Sequence, residues 1–193
     1  MRPETRDLST KVLVILATLL LFSGGCSKAQ ESAPTQRKGF KALSEEPVNA
    51  ELIAEHVSIQ PGGSTRVGVK CRLENGWHIY AEEPGDAGLP TKIAWSGPSG
   101  VVFGPLPWPP AQQFVDPGDI RTFGYTGTVV LSSAMTLEPT AAPANPLSLR
   151  AHVEWLACKE ICVPGSADLK LNLPVSAAAP IPSPHARLFS SEE

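Results

Sequence analysis

The sequence of 193 residues is poor in aromatics, at 6%, and has no surplus of positive charge. Its 16 lysines and arginines stand against 19 acidic residues, for a net charge of −3. A nucleic-acid-binding role therefore lacks its electrostatic footprint, and no nucleic-acid partner is expected. Cysteine is scarce as well: Cys26, Cys71, Cys158 and Cys162 are too few for a disulfide-dense miniprotein and stand in no familiar zinc spacing. No apolar run approaches the ~20 residues that a helix needs to cross a bilayer. Missing too are a glycine-rich phosphate loop and any Ser/His/Asp or paired-carboxylate set that the order of residues would defend. Neither a cofactor nor a resident metal is expected.

Proline is what the sequence has in excess, with 20 residues, about twice the usual ~5%. Scattered singly between short apolar runs, prolines fit strands and turns better than long helices.

The N-terminus indicates the compartment. Arg2, Arg6 and Lys11 precede an apolar and small-residue run over residues 12–22, and Ser23-Gly24-Gly25 leads to Cys26. Residues 1–25 read as a signal peptide. A cysteine directly after small residues resembles a bacterial lipobox, although Ser23 stands where leucine is usual. Cys26 is therefore expected to carry a lipid and anchor the chain to the membrane in the periplasm. Residues 26–47 are polar and of mixed charge and read as a tether, whose last 21 residues reach at most ~70 Å extended and ~25 Å as a coil. The folded unit is expected over residues 48–176, followed by an Ala/Pro-rich polar tail over residues 177–193.

Within the folded unit the apolar pattern has period two. Residues 65–73 alternate apolar or small side chains with Arg66, Lys70 and Arg72, and residues 147–155 and 168–173 alternate likewise, as half-buried strands do. Further strands are expected near 49–59, 77–81, 91–96, 100–103 and 126–132. Turns are expected at Pro61-Gly62-Gly63, Pro84-Gly85-Asp86, Gly97-Pro98 and Pro164-Gly165. Seven or eight short strands without an amphipathic helix imply an all-β fold, an immunoglobulin-like antiparallel sandwich. Residues 105–120 hold five prolines and read as a long stiff loop unable to join a sheet interior.

Cys158-Lys159-Glu160-Ile161-Cys162 follows one expected strand and precedes another. In a continuing strand these cysteines would lie ~13 Å apart, so a bond between them requires a turn. As a staple, so short a loop contributes only ~2 kcal/mol; an accessible pair suits thiol–disulfide exchange better. Cys71 is in phase with Val67, Val69 and Leu73 and reads as a core thiol; pairing with Cys158 or Cys162 is the alternative. His152 reads as a solvated strand histidine, although with the two cysteines it could hold Cu(I) or zinc. His78, among Trp77, Ile79 and Tyr80, reads as a packing residue.

Three segments resemble the periplasmic N-terminal domain of the transmembrane disulfide reductase DsbD. They are Asn75-Gly76-Trp77-His78-Ile79-Tyr80 with Pro84-Gly85-Asp86-Ala87-Gly88-Leu89-Pro90, then Phe123-Gly124-Tyr125-Thr126-Gly127-Thr128-Val129, and last Trp155-Leu156-Ala157-Cys158-Lys159-Glu160-Ile161-Cys162-Val163-Pro164-Gly165. The resemblance implies that Cys158 and Cys162 are a catalytic redox pair and that Cys162 forms the mixed disulfide with an oxidised periplasmic client. It implies an aromatic cap over the pair, for which Phe123 and Tyr125 are the matching positions. It also implies a membrane-embedded electron donor. Since the sequence ends at Glu193 without the family's membrane helices, that donor is expected to act in trans. Two other classes stay open: a non-catalytic binding or assembly lipoprotein with a structural disulfide, and a copper-binding carrier.

Overall fold

The computed structural model describes residues 46–139 and 145–190; the expected signal peptide, Cys26 and nearly all of the tether lie outside these residues. The first five strands are β1 (Val48–Ala54), β2 (Ser64–Leu73), β3 (His78–Gly85), β4 (Lys92–Ser96) and β5 (Val101–Phe103). Then come β6 (Gln112–Asp116), β7 (Ile120–Thr126), β8 (Thr128–Leu137), β9 (Leu147–Cys158) and β10 (Cys162–Leu173), with a single helical turn, α1 (Ala186–Phe189). The strands form two antiparallel sheets. One has four strands in the order β1-β2-β8-β5; the other has six in the order β10-β9-β3-β7-β6, with β4 also pairing β9. This is the expected immunoglobulin-like sandwich.

The period-two pattern builds the core directly. Along β9, Leu147, Leu149, Ala151, Val153, Trp155 and Ala157 are buried, whereas Ser148, Arg150, His152 and Glu154 are exposed. From the facing sheet, Val67, Val69 and Cys71 of β2 and Leu131 of β8 meet them, all at 0% exposure. Alternation thus turns one side of each strand to a shared apolar layer.

Four regions depart from expectation. The second half of the proline-rich segment is not loop: Gln112–Asp116 pairs with β7 as the sheet's outermost strand, a place free of proline. Pro164 and Gly165 do not turn the chain; they pair with Leu156 and Trp155 inside β10, an edge strand that tolerates proline. The expected turn at Pro84-Gly85 is instead the irregular end of β3, whose register against β7 shifts between Tyr80 and Gly85.

The expected tail, finally, packs onto the sandwich. Val57 N–H donates to the Ile181 carbonyl at 2.9 Å, Ser183 Oγ donates to Ala54 O at 2.6 Å, and Phe189 is fully buried beside Ile53 and Val130. Gly68 makes the space, because a Cβ there would stand 2.7 Å from Val130 and 3.2 Å from the Phe189 ring. Arg66 fastens the end: Nη1 donates to Phe189 O at 2.6 Å while Nη2 and Nε reach the Glu55 carboxylate at 2.8 and 3.1 Å. Those hydrogen bonds hold the Glu55 carboxyl below the usual carboxylate range.

Candidate redox site

β9 ends at Cys158 and β10 begins at Cys162, and the two residues face each other in register. Lys159-Glu160-Ile161 makes the intervening turn, in which Lys159 N–H donates to Ile161 O at 3.0 Å. The Cα atoms of the cysteines are 4.1 Å apart and a disulfide joins them. The turn demanded by the spacing therefore exists, and it lies between the cysteines.

The two sulfurs have different surroundings. Cys158 is 3% exposed, whereas Cys162 is exposed at the open end of β10. Tyr80, itself buried, donates its hydroxyl to Cys158 Sγ at 3.3 Å. His78 faces Cys158 across β3 and β9; its ring stacks on Phe114 at 4.6 Å between centroids and meets Tyr80 edge-on at 5.1 Å. Lys159, next to Cys158, directs its ammonium to the Asn75 carbonyl at 3.2 Å. A buried sulfur with a hydroxyl donor, bonded to an accessible one, leaves a single sulfur open to an incoming group.

The expected cap positions fall elsewhere. Thr126 pairs with His78 and Tyr125 with Ile79, so Tyr125 and Phe123 alternate away from the side of the sheet that carries Cys158. Tyr125 enters the core, its hydroxyl donates to Pro109 O at 2.9 Å, and burial pushes its phenol up to about 12. Phe123 is 37% exposed. The aromatic that sequence reasoning missed is Phe114, which stacks on His78. Its only signal was the proline-free stretch 111–116 within residues 105–120.

Cys71 is a free thiol at 0% exposure, and burial pushes it up to about 12, as a core residue should be. His152 is exposed on β9, six residues and about 20 Å of strand from Cys158, so it is no co-ligand of the cysteine pair. Its Nδ1 lies 2.8 Å from Asp168 Oδ1 and its Nε2 3.6 Å from Glu154. The hydrogen bond to Asp168 raises the imidazole above its ordinary value. Among the described residues no group of three or more His, Cys, Asp or Glu side chains is placed to hold a metal ion.

Comparison with known proteins adds a family and a fold. The family described as "Thiol:disulfide interchange protein DsbD, N-terminal" matches residues 45–174, more than half of the chain. Among solved structures, the N-terminal periplasmic domain of ScsB from Proteus mirabilis is similar at 21% identity and a TM-score of 0.50, over 68% of this chain and 48% of that one. The chain thus spans about half the length of that relative, and the likeness is one of fold. The N-terminal domain of Neisseria meningitidis DsbD in its reduced form aligns at 14% identity and a TM-score of 0.35, over 65% of this chain and 83% of that one. No curated protein sequence matches the chain.

Proposed function

The chain belongs to the DsbD N-terminal domain family, and on that premise we propose that it is a periplasmic thiol–disulfide exchange domain acting through Cys158 and Cys162. The observation that carries this reading is the asymmetric pair: an exposed Cys162 bonded to a buried Cys158 that accepts the Tyr80 hydroxyl. In the reduced domain the Cys162 thiolate attacks one sulfur of a client disulfide. The other client sulfur leaves as a thiolate and takes a proton. Cys158 then attacks Cys162 Sγ, closes the domain's own disulfide and releases the second client thiol. Two electrons and two protons pass to the client. A membrane-embedded dithiol carrier restores the domain by the reverse exchange.

The same reading places the domain on a lipid anchor at Cys26, exported by residues 1–25 and spaced from the membrane by residues 26–47. It is supported by Arg2, Arg6 and Lys11, the apolar run and the small residues before Cys26. No helix of the described residues is long and apolar enough to cross a membrane.

Trapping tests the proposal. A Cys158→Ala variant leaves the Cys162 thiol without its resolving partner, so mixed disulfides with oxidised periplasmic proteins should accumulate on Cys162 and disappear on reduction. A Cys162→Ala variant should trap none. If the Cys158→Ala variant traps nothing and a double Ser variant keeps full function, the disulfide is a staple and the proposal fails.

A further inference from the structure

The run Pro84-Gly85-Asp86-Ala87-Gly88-Leu89-Pro90 has no part in the exchange steps, yet the fold brings it against Tyr80, whose hydroxyl reaches Cys158. Gly88 adopts a φ of +96° and rests on the Tyr80 ring, which leaves no room for a Cβ. The loop is tied down at both ends. Asp86 N–H donates to Arg121 O at 2.8 Å and Arg121 N–H returns to Asp86 Oδ2 at 2.8 Å; Thr91 Oγ1 donates to Tyr80 O at 2.7 Å. On this fixed loop Leu89 is 61% exposed. A single exposed leucine is ordinary; what distinguishes this one is the groove that it lines.

Leu89 and Pro90 line a groove of about 390 Å³ together with Trp155, Pro164, Gly165 and the charged Lys92 and Glu154. Pro164 follows Cys162 by two residues on β10 and so lies on the same side of the strand. Val163, which lines a second groove with Trp77 and Ile161, pairs with buried Ala157 and points the other way. Pro164, which lines the first groove, therefore stands on the Cys162 side of β10, about 7 Å along the strand from that residue. A polypeptide bonded to Cys162 and extended along the exposed side of β10 would lie over Pro164 and this groove.

We infer that the Leu89–Pro164 groove is a docking subsite for the client polypeptide, receiving an apolar side chain two residues from the client cysteine. The inference rests on the exchange role proposed above. On a client extended along β10, two residues likewise cover about 7 Å, which is the position the test below varies. Selection by this groove would favour disulfides in locally extended, apolar segments over those in polar turns.

Three synthetic peptides, each joined to its own copy through one cystine, test it. One carries leucine two residues after the cysteine, one two residues before, and one serine at both places. The reduced full-length protein attacks each disulfide at Cys162, Cys158 resolves the product, and two peptide thiols are released per domain oxidised. One leucine peptide should be reduced at least tenfold faster than the serine peptide, and Leu89→Ser should remove that advantage. Reduction of hydroxyethyl disulfide, too small to reach the groove, should be the same in both proteins. Equal rates for all three peptides, with hydroxyethyl disulfide reduced normally, would overturn the subsite and leave the exchange role standing. A Leu89→Ser variant slowed on every disulfide alike would also overturn it. If the native protein reduces none of these disulfides, the exchange role itself falls and the subsite with it.

Discussion

Cys71 and Cys158 are both buried, at 0% and 3% exposure, and both lie on strands of one sandwich. Cys71 sits along β2, surrounded by core, with its thiol pushed up to about 12 by burial alone. The outer face of its sheet is covered in part by Phe189. Cys158 sits at the last position of β9, where the chain turns and Cys162 comes into reach at the surface. Burial by itself thus produces an inert thiol. What sets Cys158 apart is its place at a strand end, its bond to an exposed partner sulfur and the Tyr80 hydroxyl, and the proposed exchange rests on these.

The contrast breaks most visibly by losing the exposed sulfur. Cys162→Ser should reduce exchange with hydroxyethyl disulfide to background, whereas Cys71→Ala should leave the rate unchanged; stopped-flow or thiol-release assays on both variants decide it. The next effect concerns the closed sheet. Phe189→Ala removes a fully buried ring and should cost about 3 kcal/mol in urea unfolding, with no change in the reduction potential of the Cys158–Cys162 pair. A large potential shift in that variant would show that the two sheets are coupled.

Smaller effects sharpen the redox side. Tyr80→Phe removes a hydroxyl donor that favours the thiolate over the disulfide, so the potential should fall, toward a poorer oxidant. A net hydrogen bond of about 0.5–1.5 kcal/mol corresponds to roughly 10–30 mV for this two-electron couple, readable by equilibration with glutathione. The smallest effect is expected far from the sulfurs. Asp168 raises the His152 imidazole, so its contribution to folding is full below the ordinary value near ~6.5 and is lost as pH rises through the raised one. Asp168→Asn should lower the His152 midpoint in an NMR titration and leave exchange untouched.

The strands with strong alternation were legible from sequence. In β2 and β9 every second residue is apolar, and those residues are the core. Legibility failed where another force outweighed the local signal. Pro164-Gly165 reads as a turn, but pairing with Leu156 and Trp155 holds it in an edge strand. Gln112–Asp116 was hidden by the prolines before it. The tail was hidden because its docking depends on one aromatic, Phe189, and on a space left by Gly68 far away in sequence. At the redox site, spacing required a turn between Cys158 and Cys162, but it could not tell which cysteine would be buried. Nor could it place Tyr80, Phe114 and Leu89, since those placements come from the pairing of β3 with β7 and β9, from that of β6 with β7 and from the loop after β3.

The reduction potential of the Cys158–Cys162 pair tests the central claim most directly. Equilibrating the protein with dithiothreitol or glutathione buffers and counting free thiols gives it in one titration. A working exchange pair should lie above about −300 mV, within reach of periplasmic partners. A value below about −300 mV, where structural disulfides lie, would contradict the account and make the hairpin disulfide a staple.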